Sequence, residues 1–283
     1  MKATLFVAAA LAGCATLYAQ TNEPPAVIQI TRESVKEGRG AAHRRVEQDY
    51  ANTFRKNKFP FHYIGLSSMS GPNEAWFLAA YPSFAGVEEA DQLSQKAPLK
   101  SDLELADARD GELRAESRSL TMVLRKDLSY LPENRVPLGK VRYFMIDNYR
   151  MRLGQSEAFT AGAKMLLDGY RKANLKEEVL GYEVIAGAPN GVFLFLVPME
   201  SLKDMDAAMA NRKALADAVG QDNLNRLTKG EGEVFQTMES TLFSVSPEMS
   251  YLPKEIEDAD PAFWRPKVTV SRAAKPAEKT EKP

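Results

Sequence analysis

Ser129-Tyr130-Leu131-Pro132 and Ser250-Tyr251-Leu252-Pro253 are the same four residues, 121 positions apart (250 − 129). Upstream of each the echo continues at a slightly shorter offset. Val35-Lys36-Glu37-Gly38 is answered by Met151-Arg152-Leu153-Gly154 at 116 (154 − 38). Gly71-Pro72-Asn73 is answered by Ala188-Pro189-Asn190, and Tyr81-Pro82 by Val197-Pro198. Solenoid repeats recur every ~20–50 residues, so a period this long reads as one domain written twice. Each half then serves as a control for the other. A side chain needed by the shared frame should have a like partner, and one with an unlike partner does something local.

Around these anchors the first repeat, 25–132, reads as strand Val27–Val35, amphipathic helix Gly38–Asn57 and strand Phe61–Ser68. A Gly-Pro-Asn turn leads into strand Ala75–Tyr81 and helix Ser83–Gln95. A charged helical stretch Ser101–Ser117 and strand Leu120–Arg125 complete it. The second repeat, 140–253, replays the order, ending in helix Ser201–Val219, a short helix around Leu224 and Leu227, and strand Thr241–Ser246. Each half is thus strand, helix, strand, strand, helix, strand, the ferredoxin-like order of an α+β fold. Such a sheet has helices on one face and must cover the other. Alternation predicts Ile28, Ile30, Phe144 and Ile146 on the helix side. It puts Gln29, Thr31, Glu33, Met145, Asp147 and Tyr149 on the open face. If the halves pack sheet to sheet as an intrachain α/β barrel, that partly polar row lines an enclosed space.

This doubled pattern, with its glycine-ended junctions at Val35–Gly38 and Met151–Gly154, resembles the dimeric α/β-barrel superfamily. Within it the nearest likeness is to NIPSNAP-like and antibiotic-biosynthesis-monooxygenase-like domains, over about Pro25 to Pro253. The resemblance implies two ferredoxin-like units closed around a cavity. Members include cofactor-free monooxygenases, haem proteins and binding proteins.

The 283 residues have the balance of a globular protein, 44% hydrophobic and 27% charged. A net charge of −1 and the lack of a basic stripe argue against a nucleic-acid partner. Met1-Lys2 followed by an apolar run to Ala19 reads as a signal peptide, 1–19, for export to a periplasmic or extracellular space. Leu11-Ala12-Gly13-Cys14 competes as a lipobox, in which acylated Cys14 would tether the protein to a membrane. Cys14 is the one cysteine, so no disulfide can form within the chain and cysteine chemistry in the body is excluded. Residues 254–283 read as an extended tail ending in Lys, Glu, Ala and Pro, with Phe263-Trp264 able to dock on the body.

Chemistry has few candidates. His43 and His62 are the two histidines, the side chains nearest to titrating at neutrality. His43 lies on its helix's inward stripe and is answered by Phe159, which reads as a core or boundary position. His62 is answered by Val179 or Leu180 and is the better candidate for a base or haem ligand. Glu33 and Asp147 are candidate acids or bases if enclosed, since burial raises a carboxyl. Asp147 is answered by Thr31, so the frame does not require it. Phe77, Tyr81, Tyr149, Phe193 and Phe195 could wall a cavity for a flat apolar ligand. HxH, HxxxH and HExxH spacings are missing, so no metal site is expected. No phosphate loop or Ser-His-acid arrangement occurs either.

Three readings stay open. The first is an exported protein holding a small apolar or aromatic ligand in a barrel cavity. The second is a cofactor-independent monooxygenase or haem-processing enzyme using His62, Asp147 or Glu33. The third and weakest is an interaction scaffold. Further homo-oligomerisation is compatible with all three.

Overall fold

Eight antiparallel strands pair in a closed ring, in the order Val27–Val35, Glu74–Tyr81, Tyr63–Ser68, Phe235–Tyr251, Tyr143–Met151, Val192–Met199, Leu180–Ala186 and Arg114–Leu124, which returns to Val27–Val35. The computed structural model describes residues 23–266. The expected signal segment 1–19 with Cys14, and tail residues 267–283, lie outside the described residues. The first half holds β1 (Val27–Val35), α1 (Gly40–Lys56), β2 (Tyr63–Ser68), β3 (Glu74–Tyr81), α2 (Phe84–Ser94), α3 (Leu99–Asp110) and β4 (Arg114–Leu124). The second holds β5 (Tyr143–Met151), α4 (Ser156–Lys172), β6 (Leu180–Ala186), β7 (Val192–Met199), α5 (Lys203–Val219), α6 (Gln221–Val234) and β8 (Phe235–Tyr251). Two short helices follow, α7 (Lys254–Glu257) and α8 (Pro261–Trp264). No helix among the described residues is long and apolar enough to cross a membrane.

The glycines that end the two echoed junctions sit at positive φ, 74° at Gly38 and 81° at Gly154. Only glycine takes that backbone without strain, which lets the chain turn from strand into helix. β4 and β8 start earlier than the alternation suggested, at Arg114 and Phe235. Their leading residues are mostly polar and exposed, so they carry no strand pattern in sequence. Backbone pairing to β1 and β5 holds them extended, with Ser34 opposite Glu116 and Asn148 opposite Glu239.

Closure reverses the expected facing. One buried cluster takes a side chain from every strand: Ile30, Leu66, Trp76, Met122, Ile146, Tyr182, Leu194 and Phe243. Ile28 and Phe144 belong to it as well. The residues expected under the helices therefore fill the barrel. Glu33, Asp147 and Tyr149, expected inside, lie in the layer between sheet and helices. The physical reason is that an eight-stranded barrel has an interior just wide enough for side chains, the driest place in the fold. Bulky apolar residues go there, and the polar row goes where helices can supply partners.

Part of the expected extended tail is ordered. Trp264 is buried, and its indole N–H donates to Gly139 O at 2.8 Å. The Arg142 guanidinium lies 3.7 Å above the Phe263 ring. The apolar side chains Leu252, Ile256 and Trp264 extend the barrel cluster at this end.

The repeated tetrapeptide closes the two seams between halves, β2–β8 and β4–β6. Ser250 Oγ accepts from Gly65 N–H at 2.9 Å and donates to Ser246 O at 2.6 Å. Tyr251 OH donates to Phe59 O at 2.6 Å, and Arg55 donates to Ser250 O at 2.8 Å. In the other seam Ser129 Oγ accepts from Gly181 N–H at 3.0 Å and donates to Arg125 O at 2.8 Å. Tyr130 OH donates to Leu175 O at 2.7 Å, and Arg171 donates to Ser129 O at 3.2 Å. Each half's closing motif thus fastens the other half's second strand and helix end. A Cβ on Gly65 would lie 2.5 Å from Met249 O, and one on Gly181 2.3 Å from Leu128 O, so the crossing strand must be bare.

Ser129→Ala or Ser250→Ala leaves a buried glycine N–H without an acceptor, and each should lower stability by about 1–3 kcal/mol. Gly65→Ala should cost at least as much, through the clash with the Met249 carbonyl. Urea unfolding followed by circular dichroism measures this, and an unchanged midpoint for the serine variants would rule out the locking role.

Candidate functional site

Between sheet and helices, the second half leaves a cavity of about 540 Å3. Its floor is β5 and β7, through Asp147, Tyr149, Phe195 and Val197. One wall is α4, which presents Phe159, Leu166 and Tyr170 but also the small Gly162 and Ala163. The other is α6, which reaches in with Leu227 and Val234 yet has no fully buried side chain. The small residues make the room. A Cβ on Gly162 would come 2.9 Å from the Leu227 methyl, so α6 packs closely on α4 at this glycine and a larger residue there would have to displace the leucine.

The walls are aromatic. The Tyr149 ring lies 5.7 Å from Phe195 at 63° and 5.5 Å from Phe235. Phe159 meets Phe195 edge-on at 6.1 Å. Asp147 is the carboxylate on the floor. Its Oδ1 accepts from Ser240 Oγ at 2.5 Å, where β8 pairs with β5. Burial raises the Asp147 carboxyl above the usual aspartate range, and the Ser240 hydrogen bond opposes that only in part. Burial likewise raises the Tyr149 hydroxyl, with Asp147 adding to the effect, so Tyr149 is a neutral donor.

The matching place in the first half is filled, and with charge. At an offset of 116, Tyr149, Phe159 and Ala163 correspond to Glu33, His43 and Glu47. His43 Nε2 lies 2.9 Å from Glu33 Oε2, 3.5 Å from Asp110 Oδ1 and 3.9 Å from Glu47 Oε1. Arg114 Nη1 donates to Glu33 Oε1 at 2.6 Å and to Asp110 Oδ2 at 2.7 Å. Burial raises Glu47 well above the usual range, with Glu33 and Asp110 pushing the same way. Asp110 is raised too, by burial and then by Glu33. Both carboxyls stand among like charges in a dry setting.

The predicted residues therefore form no single constellation. Asp147, Tyr149 and Phe195 meet in the cavity, and Phe193 lies buried beside it, 4.8 Å from Phe159. Phe77 belongs to the first half, 6.4 Å from His43 and 6.0 Å from Tyr63. Tyr81 packs with Val27 and Ala90 under α2. Glu33 belongs to the charged cluster. His62 precedes β2 and stacks on Tyr251 at 4.7 Å, where burial lowers its pKa to about 4. Neither histidine lines the cavity. Haem ligation there through His62 is a poor fit to these residues. His43 is buried, as a core position should be, but its neighbours are three acids. Glu47 was legible as the residue one turn after His43. Asp110 and Arg114 were hidden in a stretch expected to be one helix.

No protein-family model matches the chain, and no curated protein matches it. Solved structures do. A candidate monooxygenase from Fusobacterium nucleatum subsp. nucleatum superposes with a TM-score of 0.51 at 8% identity, over 78% of this chain and 93% of that one. A variant of chlorite dismutase from Candidatus Nitrospira defluvii gives 0.51 at 11% identity, over 83% and 96%. At such identities the likeness is one of fold: a mixed α+β chain closed into a ferredoxin-like antiparallel barrel.

Proposed function

We propose that this chain binds a small apolar or aromatic molecule carrying a hydroxyl or carbonyl group, in the cavity beneath α4 and α6. One observation carries the reading: an aromatic-walled space of about 540 Å3 with the half-buried carboxyl of Asp147 on its floor. Volumes of ~300–1,000 Å3 with few polar groups are those of small-molecule sites. The ligand is thus assigned to the sheet–helix layer, not to the barrel interior that sequence suggested. Tyr149 and Tyr170 offer neutral donors beside Asp147, which suits a phenol or quinol lying flat between rings.

Asp147 also favours a second reading, a cofactor-independent oxygenation in which it takes the phenolic proton as general base. A carboxyl raised toward neutrality is better matched to that task than an ordinary aspartate. The candidate monooxygenase among the fold relatives makes oxygen consumption the activity to assay. Two further parts of the proposal rest on sequence. Duplication of one ferredoxin-like unit accounts for the mirrored Ser-Tyr-Leu-Pro locks, and the segment 1–19 accounts for export.

A naphthol or quinol series should bind the full chain with micromolar affinity by titration calorimetry. Ala163→Phe fills the cavity and should weaken binding at least about tenfold, since about 1.4 kcal/mol is one decade. Equal affinity in Ala163→Phe would place the ligand elsewhere.

The raised Asp147 carboxyl also sets a pH dependence. Folding favours its protonated form, so that contribution is fully present below the ordinary aspartate value of about 3.9. It is lost as pH rises through the higher folded value. Asp147→Asn lacks this titration. The melting temperature of the wild type, measured against that variant, should therefore fall as pH climbs upward from about 4. A constant difference across that range would show that Asp147 is not desolvated.

A further inference from the structure

We propose that the first half carries a site for a divalent first-row cation, held by Glu33, His43, Glu47 and Asp110. Their ligand atoms lie within 4.8 Å of one another. A cation with ligand distances of about 2.0–2.2 Å can close such a group by small side-chain rotations. The four residues come from β1, α1 and α3, which is why no metal-binding spacing shows in the sequence.

Burial is the first support. Glu33, His43, Glu47 and Asp110 are 3%, 2%, 5% and 0% exposed, so solvent does little for their charges. The second is a hydrogen-bond pattern with a gap in it. Arg114 occupies one oxygen of Glu33 and one of Asp110. Their other oxygens turn to His43 Nε2. Asp110 Oδ1 is buried with no hydrogen-bond partner among the described residues. Among the described residues Glu47 makes no hydrogen bond there either, and the His43 Nε2 atom stands 3.9 Å from its Oε1. Buried polar atoms are nearly always satisfied, and an exception calls for an unseen water or ion.

Charge is the third support. With the three acids ionised and the imidazole neutral, as metal ligation requires, one guanidinium and one dication bring the sum to zero. Paired and coordinated charges are the kind that survive burial. The fourth is an outer shell already in place. Arg114, itself held by Asp107 at 2.7 Å, fixes the orientation of Glu33 and Asp110. Such second-layer partners are what orient metal-binding carboxylates. The Phe77 ring, 6.4 Å from His43, adds an apolar side. One imidazole with three carboxylates is an oxygen-rich set that suits Mn2+, Fe2+ or Zn2+ and not a soft ion such as Cu+.

The test uses the untagged chain, stripped with EDTA and then titrated with Mn2+, Co2+ or Zn2+. Native mass spectrometry should show one metal per chain, and the melting temperature should rise by several degrees. Bound Co2+ should give visible d–d absorption that His43→Ala abolishes. Because His43→Ala could unfold the protein, Glu47→Gln is the second variant. It removes an ionisable acid that has no hydrogen bond to lose, so the metal-free protein should melt as high as the wild type or higher. Its metal affinity should drop at least tenfold. Equal affinity in Glu47→Gln would overturn the site, as would a wild type that takes up no metal and shows no thermal shift. The site is in the other half from the proposed ligand cavity, so either assignment can fail while the other stands.

Discussion

A four-stranded sheet with helices on one face has a second face that water must not reach, and in this protein each sheet covers the other. Everything else follows from that mutual burial. Two flat faces alone would leave four unpaired edges, so the halves curl until β2 meets β8 and β4 meets β6. At those seams a serine hydroxyl, a tyrosine hydroxyl and an arginine repeat the same bonds in mirrored places. The bonds are individually modest, of the order of 1 kcal/mol each. Their value lies in position, because they satisfy backbone groups where one sheet ends and the other begins.

Closure also decides where chemistry can occur. The interior is filled by one large apolar side chain after another, including the fully buried Tyr182 and Phe243. Polar side chains that the strands must carry are sent outward, to the layer beneath the helices. There the two halves part company. Where the second half has Tyr149, Phe159 and Ala163, the first has Glu33, His43 and Glu47. One frame thus holds an apolar hollow on one side and a compact charged knot on the other.

Much of this frame was legible in the sequence. The echoed strings set the halves, and alternation placed nearly every strand and helix. What alternation could not give was the sign of the facing, because both faces of each sheet are buried. Ile28 and Ile30 were read as the helix side since they were the more apolar row, which holds for an open sheet and fails for a closed one. The cavity's residues were named but misplaced: Asp147 and Tyr149 came from strand parity and Phe195 from an aromatic row, all expected inside the barrel, while α6 and its Leu227 gave only a weak helical signal. The charged cluster was hidden for a different reason. Asp110 and Arg114 sit at the end of α3 and the start of β4, and a run of charged residues looks alike in either state. His43 had drawn attention only as a core residue, and its three acids come together through tertiary packing.

The Ser250 lock on Gly65 spans 185 residues of chain. During synthesis β2 emerges early, but its partner β8 begins 167 residues later (235 − 68). Until then β2 has one free edge, and the first half's apolar sheet face is bare. Contacts so remote in sequence are slow to form, and exposed edges invite pairing with the wrong chain. The protein therefore cannot mature piecemeal from its N-terminus. Its ring closes only when the final strand arrives, and a nascent chain stalled before β8 is a candidate for chaperone capture or for pairing with another stalled copy.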